Sequence, residues 1–332
     1  MTTVHDLGEH QILQRLQRFC HPTIVGDDGA ILPIQPGYEL VVTTDVLVDG
    51  VHFSEQTTSG FDVGWRAAAA NLSDLAAMGA EPIALTVGLS LPPLTPWAWV
   101  EALYEGLTAC GQQYRAAIAG GDLCRSPVAT VAITALGQVQ PSQSLKRSAA
   151  RVGDRLLITG AHGLSRAGLE LLLHPEAGEG VAPSDRTAWM AAHQCPQPRL
   201  DVLPKLRPWQ AQRPLAAMDS SDGLADAVVQ ICRASGVGAV VWGDRLPLPQ
   251  GLVKWQGQAQ AINWALYGGE DFELVLALPP EAASALQQEI GGTAAIVGEI
   301  TSALTVQLEQ ISDNGEQQII SLDQAAGFQH FA

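Results

Sequence analysis

A chain of 332 residues, 47% apolar and 16% charged, is long for one hydrophobic core and comfortable for two α/β-sized domains. Its 18 Lys and Arg against 34 Asp and Glu give a net charge of −16, with only three lysines (Lys146, Lys205, Lys254), which disfavours nucleic acid or an anionic membrane as partner. Five scattered cysteines without C-x-x-C pairing argue against a disulfide framework and a zinc site. A cytoplasmic protein is expected, because Met1 to His10 has no leader character and no apolar run reaches membrane length.

Ile12, Leu13, Leu16 and Phe19 recur at helical spacing, and Thr23 to Phe53 reads as two strands around a Gly/Pro-rich turn, Glu39 to Thr44 being the clearer. The alanine-rich Gly64 to Met78 reads as a helix that stops at Gly79 with Pro82 beyond. A strand Ile83 to Leu89, a helix Trp97 to Gln112, a strand Ala116 to Ala119 and a strand Ala129 to Val139 follow. A first domain is expected to span 1–139.

A second domain over 150–332 opens with strand Arg155 to Thr159 and helix Ser165 to Leu173, after which Leu173 to Ser184 is expected to be a mobile loop. Its centre is Ala216 to Ser235, a strand that runs through Asp219-Ser220-Ser221-Asp222-Gly223 into a helix Leu224 to Ala234. Strands Val237 to Trp242, Phe272 to Leu278, Ala294 to Ile300 and Leu304 to Ile311 surround a helix Pro280 to Ile290. The order of elements is that of an α+β protein.

Carboxylates gather at the ends of these segments. Asp27 and Asp28, adjacent in a Gly-flanked turn, repel one another unless cations intervene, although Asp and Gly also suit a plain solvated turn. Thr43-Thr44-Asp45 ends a strand with three oxygen-bearing side chains, the ligand type Mg²⁺ prefers, and His52 follows closely; a strand-end turn and a structural histidine are the alternatives. Asp74 sits mid-helix, where Asp is a poor helix former, on a stripe with Ala67, Ala70, Asn71 and Met78 that lets another segment approach; an exposed helical face is the competing reading.

Gly120-Gly121-Asp122 is expected to end a strand in glycines that admit a ligand to the backbone, or to be a hairpin turn. Asp219-Ser220-Ser221-Asp222 leads into a helix N-terminus, which favours anions, and capping accounts for one Ser and one Asp but not for the second Asp. Gly268-Gly269-Glu270-Asp271 again sets glycines before acids, as a cation-binding carboxylate or a solvated hairpin would. No Walker A, dinucleotide-binding or protein-kinase loop motif is present.

Taken in order, Gly26-Asp27-Asp28, Thr43-Thr44-Asp45, Gly50-Val51-His52-Phe53, Asn71-Leu72-Ser73-Asp74, Gly120-Gly121-Asp122, Met218-Asp219-Ser220-Ser221-Asp222-Gly223 and Gly268-Gly269-Glu270-Asp271 resemble thiamine-monophosphate kinase, a family in the superfamily of aminoimidazole ribonucleotide and selenophosphate synthetases. The resemblance covers nearly the whole chain. It implies two α+β domains, the β-rich N-terminal one forming a homodimer interface, and ATP-dependent phosphorylation of thiamine monophosphate to thiamine diphosphate. It further implies Mg²⁺ ions on Asp28, Thr43, Thr44, Asp45, Asp74, Asp122, Asp219 and Asp222, and ATP on Tyr104, Gly121, Asp122, Arg147 and Ser221. His52, Glu270 and the tail aromatic Phe328, standing where the family often shows Trp, would then hold the substrate.

Joining two phosphates requires that their mutual repulsion be screened, and a lysine-poor chain has few cations for that, so several Mg²⁺ ions are expected. The acceptor phosphate is itself a nucleophile, so no acid–base residue is called for, and a cationic thiazolium suits an acidic and aromatic pocket. The alternatives are another ATP-using member of the superfamily, although Cys20 lacks the Gly-rich setting of a selenophosphate synthetase, and a non-catalytic divalent-metal protein, although no EF-hand loop occurs.

Overall fold

The computed structural model describes residues 2–20, 24–25, 27–311 and 317–323. The chain divides into two compact units, one of Met1–Leu75 with Ala80–Pro141 and one of Ala76–Gly79 with Ser142–Ala332.

In the first unit, short helices α1 (Val4–Leu7) and α2 (Glu9–Leu16) precede β1 (Glu39–Val48), α3 (Gly60–Ala77), β2 (Glu81–Leu91), α4 (Trp97–Tyr114), β3 (Ala117–Arg125) and β4 (Thr130–Val139). The four strands form one sheet in the order β1-β4-β2-β3, antiparallel except for the β2–β3 pair that α4 connects. Leu85, Val87 and Leu89 of β2 alternate with half-buried neighbours and share a fully packed face with Val131, Ile133 and Ala135 of β4. Alanines make α3 thin, and glycines let it touch α4 backbone to backbone. A Cβ on Gly64 would stand 1.9 Å from the Leu103 carbonyl oxygen, and one on Gly106 1.9 Å from that of Phe61.

Three expectations fail in this unit. Thr43-Thr44-Asp45 does not end its strand, because β1 stays paired with β4 as far as Val48. Only β1 forms within 24–53 among the described residues, because Pro33 and Pro36 remove ladder donors from the preceding segment and leave Ile31 94% exposed. The backbone does not turn at Gly120-Gly121-Asp122 either; β3 runs on to Arg125, pairing Gly120 with Thr86 and Asp122 with Gly88. The register shifts between Leu85 and Thr86, so Ala119 is the extra residue of a bulge and Gly120, at φ 149, absorbs the bend.

The second unit contains β5 (Arg155–Ile158), α5 (Leu164–Leu173), α6 (Pro183–Gln194), α7 (Leu203–Gln210), β6 (Ala216–Asp219), α8 (Leu224–Ser235), β7 (Gly238–Trp242), α9 (Gln250–Gln256), α10 (Gln258–Tyr267), β8 (Leu274–Leu278), α11 (Pro280–Ile290), β9 (Ala295–Thr301), β10 (Val306–Ile311) and β11 (Gln317–Ser321). Its seven strands run β11-β10-β7-β9-β5-β8-β6. Leu224, Val228 and Ile231 of α8 pack on one face with Ile158, Met218 and Val241. Leu203 and Leu206 of α7 and Leu286 of α11 pack on the other with Leu157, Ala217 and Leu276. Apart from these, Trp255 of α9 stacks on Trp189 of α6 and meets Trp264 of α10 edge to face, each at a 5.7 Å centroid spacing, beside Leu171 of α5. The expected loop Leu173 to Ser184 instead makes a 3₁₀ turn at Pro175–Gly178 and then enters α6, with Pro183 at its first turn.

Candidate active site

In the first unit, strand alternation and helix periodicity bring four candidate groups together. Thr43 and Asp45, two residues apart on β1, share the α3-facing side, while Asn71 and Asp74, three apart on α3, share the facing stripe. The Thr43 hydroxyl donates to the Asp74 carboxylate, and the Asp45 N–H donates to Asn71 Oδ1 at 3.1 Å, with Asn71 Nδ2 anchored on the Ala67 carbonyl at 3.0 Å. Thr44 lies on the opposite face, its hydroxyl 2.8 Å from that of Thr134. Asp28 is exposed in the segment before β1.

Gly121 and Asp122 occupy the edge strand after the bulge, Gly121 on the row of Asp45, Ile133 and Val87. A Cβ at Gly121 would stand 2.0 Å from the Val87 carbonyl oxygen, so only glycine fits. His52 Nδ1 accepts the Val48 N–H at 3.1 Å, which puts the proton of the neutral ring on Nε2. Tyr104 is 6% exposed against Phe19, ring centroids 5.6 Å apart, and burial pushes its hydroxyl above the usual range.

In the second unit, edge strand β6 ends at Asp219, 2% exposed and paired with Leu274 of β8. The chain then turns through Ser220, whose N–H donates to the Glu273 carbonyl at 2.9 Å, and Gly223 at φ 103 launches α8 with no side-chain cap. Gly223, the N-cap, has no side chain to cap the helix, and the N-terminal end of α8 is the kind of site that favours an anion. Asp222 is exposed beside it. Arg147 Nη1 donates to Gln230 Oε1 at 2.5 Å, and Gln230 Nε2 to Asp226 Oδ2 at 2.6 Å, so the arginine is tied to the flank of the same helix.

The Glu270 segment is clipped onto this turn. Its N–H donates to the Ser221 carbonyl at 2.7 Å, and Gly269, Glu270 and Phe272 adopt φ of 67, 59 and 52, a run that costs free energy at the two non-glycine positions. Asp271 next door is half-buried and accepts N–H bonds from Gly163 (2.6 Å) and Ser165 (2.9 Å) at the start of α5. Burial pushes its carboxyl up to about 7, against the lowering effect of those amides. Burial likewise holds Glu273 above the usual carboxylate range, opposed by the Arg199 guanidinium 2.6 Å away. The sequence singles out Asp271 only as an acid after the glycines, and Ser165, Arg199 and His193 of α6 behind Glu270 have no counterpart there. Phe328 lies outside the described residues.

The donors are carboxylate and hydroxyl oxygens, with neither thiolate nor imidazole in the set, which suits a hard cation. Among the described residues no three or more His, Cys, Asp or Glu side chains gather closely enough to hold an ion unaided. Phosphate oxygens completing the shell is the usual Mg²⁺ arrangement on a nucleotide.

Known proteins carry the same organisation. Residues 26–139 match the N-terminal domain of AIR synthase related proteins and residues 151–309 the C-terminal domain. A thiamine-monophosphate kinase of Synechococcus elongatus is 52% identical over 99% of this chain and 98% of its own length. This chain belongs to the thiamine-monophosphate kinase family. Among solved members, the thiamine-monophosphate kinase of Stenotrophomonas maltophilia superposes with a TM-score of 0.76 at 34% identity, covering 88% of this chain and 90% of that one. AaThiL complexed with AMPPCP and TMP superposes with a TM-score of 0.72 at 27% identity, covering 96% and 97%. The two-domain α+β fold is the family's.

Proposed function

We propose that this chain transfers the γ-phosphoryl group of ATP to thiamine monophosphate, releasing thiamine diphosphate and ADP. The observation that carries this reading is the identity, at 52% over 99% of the chain, to a thiamine-monophosphate kinase. The solved relative with AMPPCP and TMP supports the same pair of substrates. Another ATP-dependent reaction of the superfamily has no comparable support.

Asp28, Thr43, Asp45, Asp74 and Asp122 of the first unit and Asp219 and Asp222 of the second are proposed to hold magnesium, whereas Thr44 directs its hydroxyl to Thr134. Magnesium, when bound, neutralises phosphate charge that 18 scattered cations cannot. Tyr104, Gly121, Arg147 and Ser221 are proposed to contact ATP: Gly121 lets the backbone approach, and Ser221 stands beside the N-terminal end of α8. His52 and Glu270 are proposed to bind thiamine monophosphate, the histidine at its anionic phosphate and the carboxylate at its cationic ring, and no general base is called for because the acceptor phosphate is itself a nucleophile.

A homodimer and a cytosolic setting complete the reading. The face of β1 opposite α3 exposes Leu40 (47%), Val42 (56%) and Val46 (46%), an apolar strip that a second copy would cover. No helix among the described residues is long and apolar enough to cross a membrane.

Incubation with ATP, Mg²⁺ and thiamine monophosphate, followed by chromatography, tests the proposal. Thiamine diphosphate and ADP are expected in equal amounts. Folded protein giving no more product than a no-enzyme control would overturn it.

A further inference from the structure

We infer that His193 and Ser165 are positioning residues that set the Glu270 carboxylate against the cationic end of the substrate; this rests on the proposed role of Glu270. Ser165, at the second position of α5, and His193, near the end of α6, are each 1% exposed. His193 Nδ1 lies 3.0 Å from Ser165 Oγ and 3.7 Å from Glu270 Oε2. The histidine side chain is 2% exposed and that of Glu270 32%, so the ring stands behind a carboxylate that looks outward.

A carboxylate only accepts hydrogen bonds and a hydroxyl does either. The tautomer that suits both neighbours carries its proton on Nδ1 and donates it to Ser165 Oγ, while Glu270 Oε2, at 3.7 Å, meets the same positive edge of the ring as an electrostatic contact rather than a hydrogen bond. Ser165 is fixed in turn, its own N–H donating to the Asp271 carboxylate at 2.9 Å.

The backbone needs this help. Glu270 holds φ 59, its N–H is committed to Ser221, and the next side chain is drawn into the start of α5. These bonds fix the main chain but leave the Glu270 side-chain torsions to whatever touches its carboxylate, and the described structure places His193 there. A carboxylate held at one orientation loses less freedom when a cation binds. The effect should fall on thiamine monophosphate and spare ATP.

The test compares His193→Leu, His193→Asn, Ser165→Ala, Glu270→Gln and the double variant His193→Leu/Glu270→Gln in the full chain, measuring both KM values, kcat and thermal unfolding. His193→Leu is expected to raise KM for thiamine monophosphate about tenfold while KM for ATP stays within about twofold, because the lost contact orients only the Glu270 carboxylate. His193→Asn, whose amide N–H stands where Nδ1–H does, is expected to restore most of the loss. Against Glu270→Gln the His193→Leu effect should vanish.

An unchanged KM for thiamine monophosphate, an equal rise for both substrates, or full additivity in the double variant would overturn the assignment. If His193→Leu fails to fold, His193→Asn and Ser165→Ala decide: near-normal kinetics for the former with a selectively raised KM for the latter support it, and unchanged KM in Ser165→Ala overturns it. Glu270→Gln alone leaving KM for thiamine monophosphate unaltered removes the underlying role of Glu270, and this inference with it. A rise in Glu270→Gln with none in the His193 variants removes this inference only.

Discussion

Thr43 of β1 donates its hydroxyl to the Asp74 carboxylate of α3, and two residues along the strand Asp45 is tied by its N–H to Asn71, one helical turn before Asp74. A period of two on the strand meets a period of three to four on the helix, and oxygen donors line both sides of the join. Asp is poorly suited to a mid-helix position, and one neutral hydroxyl bond does not call for a charged partner.

Asp74→Asn should accordingly abolish turnover with little effect on the fold, because the amide oxygen still accepts the Thr43 hydroxyl. Removing one anionic ligand forfeits several kcal/mol of charge stabilisation, a loss on the order of a hundredfold or more in kcat. Steady-state kinetics beside a thermal melt checks both halves, and near-normal activity would sink the magnesium-ligand reading.

The Asp219–Asp222 turn gives a second prediction, this time on metal demand. Asp222 is exposed beside the uncapped start of α8, so its change to Asn should leave the core of that unit undisturbed. The Mg²⁺ concentration for half-maximal activity should rise about tenfold or more, as removal of charge around an ion does. A Mg²⁺ titration at saturating ATP reads this directly, and a midpoint that does not move refutes it. Chelation by EDTA should abolish activity in the parent, with full recovery on adding Mg²⁺.

Gly121 makes the third prediction. A Cβ there would sit 2.0 Å from a main-chain oxygen, which no side-chain rotation can relieve. Gly121→Ala should cost about 2 kcal/mol or more of stability and weaken ATP along with it, because the edge strand must move to admit the methyl group. Urea unfolding and KM for ATP are the measurements; stability within error of the parent would mean that β3 yields freely.

The sequence made Asp74 legible because its violation of helix preference stood out against alanines, and Asp219 with Asp222 because capping needs only one acid. It hid the setting of Asp122: a bulge carries the strand through two glycines that locally look like a turn, and only pairing with β2 keeps them extended. The strand expected before β1 was suggested by apolar residues that prolines keep out of any ladder. The supports of Glu270 were hidden for another reason. Ser165 and His193 lie on α5 and α6, far in sequence from Glu270, and α6 (PSDRTAWMAAHQ) is too polar to announce itself, being anchored chiefly through Trp189.

His162 supplies a last prediction, on stability against pH. The ring is buried between β5 and α5 with Nδ1 3.1 Å from the Gly160 carbonyl oxygen and Nε2 buried without a partner among the described residues. Burial holds it down to about 4, against 6.5 for an ordinary histidine. Between these values the unfolded chain binds the extra proton and the folded one does not, so the stability associated with the neutral ring is present above about pH 6.5 and lost as pH falls toward 4. The spread corresponds to about 3 kcal/mol. Asp271 acts in the opposite sense, since a carboxyl raised from 3.8 to about 7 costs stability as pH rises across that interval. The two terms offset one another, and the parent's profile alone will not display either. The difference between His162→Leu and the parent isolates the first: between pH 7 and pH 4.5 it should shift by about 2 kcal/mol in favour of the variant. Urea unfolding of both proteins at several pH values measures that difference, and a difference that stays constant would show that the ring is as easily protonated in the folded chain as in the unfolded one.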